Sequence, residues 1–165
     1  MVREALKSNG GAEVKTMGDG FMASFTSATR ALECAIAMQR AFAERNEGSL
    51  RSKGSPSTSS GRTVGEESGR AEVIRVRIGL NAGEPIAEDD PDGRSDLFGT
   101  AVNLAARIAA KAEGGEILVS DVVRQLVKGK YFLFADRGET SLKGFDEPVR
   151  LYEVSWRDDT TEGQA

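Results

Sequence analysis

Asp19 is a candidate functional residue of this chain, and it lies between two glycines. Alternating apolar runs over 12–17 and 21–25 flank it. An Asp-Gly pair between two such runs is a strong hairpin signal, because primed turns need residues that tolerate positive φ. Asp19 can therefore be a turn residue and nothing more. It can also be a carboxylate at a rigid tip, four residues after Lys15, that holds a divalent cation against a phosphate.

Asn103 and Arg107 form a second candidate group, because they interrupt a run of residues that is otherwise apolar over 101–110. From Thr100 onward the pattern predicts a helix that is apolar nearly all round, and such a helix is normally buried in a core or an interface. The two polar residues lie four apart, hence on one face. A buried guanidinium needs an anion. Two partners fit Arg107: an acid of the fold in a structural salt bridge, or a phosphate, whose oxygens match the planar fork of donors.

Composition excludes several classes of function. The net charge of −4 argues against a general nucleic-acid binder, which normally has a basic face. The absence of histidine excludes His-based acid/base catalysis and His-ligated zinc, and leaves carboxylates, which favour magnesium. The single cysteine, Cys34, cannot form an internal disulfide and is expected to be buried. No apolar run reaches the roughly 20 residues of a membrane span and no signal peptide is evident, so we expect a cytoplasmic protein without a membrane segment.

The chain is expected to be one α+β domain over residues 1–157, with helices on one side of a sheet. A Ser/Gly-rich, charged stretch over 47–72 is interpreted as a flexible insertion, and 158–165 as a polar tail. The acidic run 88–93 is interpreted as a solvated turn. The patterns predict helices over 1–8, Ala28–Arg45, Thr100–Ala112 and 121–127, and strands over 12–17, 21–25, 73–83, 116–119, 132–134, 139–142 and 149–154.

Four motifs carry a resemblance to a known family. The sequence VKTMGDGF begins at residue 14, VRIGLNAGEP at 76, DLFGTAVNLAARI at 96 and SLKGF at 141. In this order and spacing they resemble the catalytic domain of class III adenylate/guanylate cyclases, from residue 10 to about 156. The resemblance implies a ferredoxin-like βαββαβ sheet with helices on one face. It also implies conversion of ATP to cyclic AMP and pyrophosphate, by attack of the ribose 3′ hydroxyl on the α-phosphate.

The resemblance implies a role for each candidate residue. Lys15 and Asp96 match the pair that reads the adenine edge, which points to ATP over GTP. Asp19 matches one of two aspartates that hold two Mg²⁺ (or Mn²⁺) ions. Asn103 matches the residue that orients the ribose, and Arg107 matches the arginine that stabilises charge developing on the phosphates. Lys143, the sixth candidate, matches a lysine that grips the triphosphate.

The resemblance also implies a partner and a departure from the family pattern. Family sites form between two head-to-tail domains, so we expect a homodimer or a second cyclase domain as partner. The family has a strand with the first metal aspartate ahead of the hairpin. This sequence is expected to be N-terminally truncated with respect to that strand, and the 165-residue chain is expected to give only trace cyclic AMP. The alternative is a catalytically inactive cyclase-like module for nucleotide binding or dimerisation.

Overall fold

A computed structural model describes residues 1–52, 72–89, 91 and 95–157 of the chain. The described part is mixed α and β, which confirms the expected α+β class. The expected tail 158–165 lies outside the described residues, as does most of the expected insertion. In chain order the elements are α1 (Val2–Ser8), β1 (Ala12–Met17), β2 (Gly20–Ser24), α2 (Ala28–Arg51), β3 (Ile78–Leu80), β4 (Ile86–Asp89), β5 (Ser95–Phe98), α3 (Thr100–Lys111), β6 (Ile117–Ser120), α4 (Asp121–Leu126), β7 (Phe134–Thr140) and β8 (Val149–Val154).

The main sheet has four strands in the order β3-β6-β8-β7, with β3 parallel to β6 and the other pairs antiparallel. Ile117 and Val119 of β6 pack with Leu32 of α2 on one face of the sheet. Leu118, which points to the other face, packs with Ile108 of α3. The helices therefore cover both faces of this sheet rather than one. This arrangement explains why β6 is a continuous apolar run, since both of its sides are buried.

Helix α2 begins where the sequence predicts but runs further. The Ser27 hydroxyl caps it by accepting a hydrogen bond from the amide of Arg30 at 3.4 Å. The helix continues to Arg51, not Arg45, so the first residues of the expected insertion are helical. The final turns are supported by an ion pair of 3.8 Å between Glu47 and Arg51.

Side chains of α2 also explain why most of the predicted strand 73–83 is not a strand. The Asn46 side chain bonds both the carbonyl of Ile74, at 2.8 Å, and its amide, at 3.0 Å. The buried Gln39 amide donates to the carbonyls of Val76, at 2.9 Å, and Glu116, at 3.2 Å. Asn46 thus satisfies the backbone groups of Ile74 that a neighbouring strand would otherwise bond, whereas the Val76 carbonyl also accepts from the amide of Gly115, at 2.8 Å. Only Ile78–Leu80 joins the sheet as a strand.

Two separate hairpins lie beside the main sheet. Strands β1 and β2 pair antiparallel around a turn in which Gly18 has φ +58°, as the Gly-Asp-Gly sequence predicts. Strands β4 and β5 form the second antiparallel pair. The first two residues of the acidic run are thus in strand β4, where Glu88 faces Asp96 in the register.

The C-terminal half confirms the predicted helix at 121 and the strand Val149–Val154. Two strands predicted over 132–134 and 139–142 are a single strand, β7, with an irregularity in its register between Asp136 and Glu139. Cys34 is buried, as expected, and burial raises the pKa of its thiol. None of the described helices is long and apolar enough to cross a membrane.

Candidate active site

Lys15 and Asp96 lie 81 residues apart in sequence, and the fold brings their side chains into contact. The Lys15 ammonium is 2.8 Å from one carboxylate oxygen of Asp96 and 2.9 Å from the other. Lys15 comes from β1 and Asp96 from β5, so the ion pair joins the two hairpins. Lys15 and Asp96, which the resemblance assigns together to the adenine edge, are therefore in contact in the fold.

Local structure fixes the geometry of this ion pair. The register of β1 shifts between Glu13 and Lys15, and such a bulge re-aims the side chain that follows it. The amide of Leu97 donates a hydrogen bond of 2.8 Å to the Asp96 carboxylate. The Lys15 ammonium also lies 5.1 Å from the centre of the Phe98 ring, within the range of a cation–π contact. Sequence reasoning missed Phe98, although its position two residues after Asp96 on a strand places both on one face.

The electrostatics keep Asp96 ionised. The hydrogen bond from Lys15 lowers the pKa of Asp96, and the Leu97 amide adds to this, while partial burial opposes it. Both side chains remain about one-third exposed, at 30% for Lys15 and 33% for Asp96. A planar ligand can therefore reach an array with one cationic donor and one anionic acceptor.

Asn103 and Arg107 lie one turn apart on the exposed side of α3. Burial in the core holds for only one side of α3, around Ile108, which packs against the sheet; burial of the other side in an interface stays a prediction. In the described part of the chain, Arg107 makes no ion pair or hydrogen bond. The structural salt bridge considered for Arg107 is therefore not found among these residues. An exposed guanidinium without a protein partner can accept an anionic ligand.

Asp19 and Lys143 are exposed at turns, and the described residues offer neither of their side chains a hydrogen bond or ion pair. No group of three Asp, Glu, Cys or His suited to a metal ion occurs within the described ranges. Asp19 is consequently a single available carboxylate. Magnesium is commonly held by one or two carboxylates together with substrate phosphates and water. Asp19 fits one such ligand and does not form a complete protein site.

Asn81 is a second residue that sequence reasoning missed. Its side chain lies between the main sheet and α3, where the amide nitrogen donates to the carbonyl of Ala101 at 3.0 Å. The Ser120 hydroxyl donates to the side-chain oxygen of Asn81 at 2.7 Å. The signal was available in the sequence, because a polar residue directly follows an apolar strand there.

Comparison with known proteins identifies the family. Residues 1–155 match the family model described as "Adenylate and Guanylate cyclase catalytic domain". The chain belongs to this family. The family membership expected from the four motifs is confirmed.

Individual members of the family are similar over most of the chain. "Putative adenylate cyclase 3" of Rhizobium meliloti (strain 1021) is 37% identical over 145 residues, which cover 87% of this chain and 21% of that protein. "Adenylate cyclase" of Mycosarcoma maydis is 38% identical over 130 residues, or 76% of this chain and 5% of that protein. A crystal structure of an adenylate/guanylate cyclase/hydrolase from Silicibacter pomeroyi superposes with a TM-score of 0.71 at 35% identity, covering 93% of this chain and 78% of that one. The chain thus spans about a fifth or less of these two curated relatives.

Proposed function

We propose that this cyclase domain acts on ATP and forms cyclic AMP and pyrophosphate. The observation that carries the proposal is the contact between Lys15 and Asp96. The ring nitrogen N1 of adenine accepts a hydrogen bond and its exocyclic amine donates one, which suits a lysine donor beside an aspartate acceptor. Guanine presents the opposite pattern at both positions. The pair therefore favours ATP over GTP.

The proposed reaction joins the ribose 3′ oxygen to the α-phosphorus and breaks the bond from that phosphorus to the oxygen bridging the β-phosphate. Pyrophosphate is the leaving group, and the 3′ hydroxyl gives up its proton. Asn103 orients the ribose so that the 3′ oxygen lies in line with the leaving group. Arg107 supplies donors to the charge that develops on the phosphates, and Lys143 binds the triphosphate. Arg107 is exposed and has no hydrogen-bond or ion-pair partner among the described residues, which supports this role.

Asp19 is proposed as one ligand of Mg²⁺ or Mn²⁺, with phosphate oxygens of the substrate as further ligands. When bound, such an ion neutralises phosphate charge and lowers the energy of the leaving group. The free carboxylate of Asp19 at the tip of the β1–β2 turn supports the assignment.

A nucleotide turnover assay tests the proposal. The 165-residue chain is incubated with Mg-ATP, Mn-ATP and Mg-GTP, and the cyclic nucleotides formed are quantified. We expect cyclic AMP from ATP, at trace level, and far less product from GTP. Asp19→Ala should abolish turnover. A preference for GTP would contradict the assignment of Lys15 and Asp96.

A second candidate function is nucleotide binding without turnover. It is favoured by the absence of a metal-binding group of acids within the described ranges. Calorimetric titration with a non-cyclising ATP analogue separates the two functions. Binding that depends on Lys15 and Asp96, together with no detectable cyclic AMP, would support this second function and exclude the first.

A further inference from the structure

The segment Gly79–Gly83 contacts helix α3 at two points where no side chain fits. A Cβ added to Gly79 would lie 2.3 Å from the backbone nitrogen of Ala109. A Cβ added to Gly83 would lie 2.6 Å from the Cβ of Ala101. Both distances are shorter than real contacts allow, so glycine at these positions lets the helix backbone approach the chain closely.

The two contacts are compatible in length and define how α3 lies. The eight steps from Ala101 to Ala109 rise about 12 Å along a helix. The four steps from Gly79 to Gly83 span at most about 14 Å. Helix α3 therefore lies along this segment in the opposite direction, with Asn103 and Arg107 between the two contact points.

Ile108, which is fully buried, packs with Leu118 in the second half of α3, so this packing leaves the position of the first turn to other contacts. A directional hydrogen bond can fix that position. Asn81 provides one, because its amide nitrogen donates to the carbonyl of Ala101 in the first turn of α3, at 3.0 Å. The other end of the Asn81 amide is held by the hydroxyl of Ser120, which is 3% exposed at the end of β6. The link thus runs from a buried strand of the main sheet to the start of α3.

We propose that Asn81 is a positioning residue that sets the axial position of α3 and, through it, the positions of Asn103 and Arg107 at the nucleotide. The proposal rests on the proposed function for its effect on catalysis. Asn81 itself contacts neither of these side chains among its described bonds. Its effect on turnover is therefore transmitted by the helix.

Kinetics of Asn81→Ala and Arg107→Ala, alone and combined, test the catalytic consequence. Because a misplacement of 1 Å can cost about 10²-fold in rate, we expect Asn81→Ala to lower kcat on the order of tenfold or more, with a smaller change in KM for ATP. In the Arg107→Ala background the same change should lower kcat by a clearly smaller factor, because one of the two groups being positioned is already gone. Equal losses in both backgrounds would show that Asn81 does not act through Arg107.

Gln39→Ala is the matched control, since Gln39 is also a buried amide and its described hydrogen bonds go to the carbonyls of Val76 and Glu116, not to α3. It should reduce thermal stability while leaving kcat of the folded protein unchanged. If Asn81→Ala does not fold, Ser120→Ala removes only the supporting bond and should lower kcat in the same direction.

Amide hydrogen exchange makes the test independent of turnover. We expect Asn81→Ala to increase exchange over residues 101–107 by about tenfold relative to Gln39→Ala, because the start of α3 loses its external anchor. Unchanged exchange there would overturn the positioning role, whether or not the protein forms cyclic AMP. Absence of cyclic AMP from the unmodified protein, with the expected exchange result, would contradict the proposed function and leave the anchor supported.

Discussion

Arg107 has no described partner within the chain, which separates its effect on stability from its effect on activity. Removal of an exposed, unpaired side chain usually changes stability by no more than about 0.5 kcal/mol. Removal of a preorganised donor from a site of developing charge costs about 10²–10³-fold in rate. We therefore expect Arg107→Ala to unfold at the same urea concentration as the unmodified protein while its kcat falls by about that factor.

The control for Arg107 is a change that keeps the charge. Arg107→Lys retains one positive charge but loses the planar fork that meets two phosphate oxygens at once. It should recover part of the lost rate. Its unfolding midpoint in urea should equal that of Arg107→Ala and of the unmodified protein. A clear destabilisation by Arg107→Ala would instead indicate a structural ion pair.

Asp96 titrates at a lowered pKa because Lys15 bonds to it, so its stabilising effect depends on pH. A carboxyl whose pKa is lower in the folded state stabilises the fold above the ordinary value of about 4, and this effect is lost as the pH falls through the lowered value. In Lys15→Ala we expect the pKa of Asp96 to rise toward the ordinary value, measured by NMR of the carboxyl carbon. Asp136, whose pKa is lowered by Arg150, is the internal control and should not move. An unchanged pKa of Asp96 in Lys15→Ala would mean that Lys15 does not lower it.

At the scale of elements, the sequence predicts best where local chemistry decides. The first hairpin follows from its Asp-Gly turn, the start of α2 from its Ser27 cap, and β8 from its alternating residues. It predicts poorly where a distant side chain decides. Residues 73–77 alternate like a strand, yet Gln39 and Asn46 of α2 occupy their backbone groups.

The candidate site shows the same division. Lys15 and Asp96 could be expected to lie together, because the four motifs carry a resemblance to a family in which the matching residues read the same base. The anchoring role of Asn81 could not, since it depends on the approach of α3 to the Gly79–Gly83 segment. That approach depends on packing, and the sequence indicates it only by the small residues at the contact points.

Gly79→Ala tests how closely α3 approaches the sheet. The added methyl would lie 2.3 Å from the backbone nitrogen of Ala109, and backbone cannot move aside as a flexible side chain can. Overpacking of this kind costs about 1–3 kcal/mol, so the midpoint of urea unfolding should fall. Gly48→Ala is the matched control, since a Cβ there meets no described heavy atom within 4 Å and lies inside α2. It should raise stability by up to about 1 kcal/mol, and a neutral Gly79→Ala would mean that α3 has room to shift.

At the scale of the whole molecule, the described part of one chain places Asp19 and Arg107 on different elements, and neither side chain contacts the other. If two copies pair head to tail, Asp19 of one copy and Arg107 of the other would serve the same site. Asp19→Ala and Arg107→Ala should then each be inactive alone but complement each other when mixed. A mixed dimer has one site with both defects and one site with neither, so random exchange restores about a quarter of the activity.

The measurement is cyclic AMP formation after subunit exchange, with a mixture of Asp19→Ala and the double variant as the control that must stay inactive. Failure of the mixture to recover activity, with exchange verified by differently tagged copies, would show that each chain builds its site from its own residues.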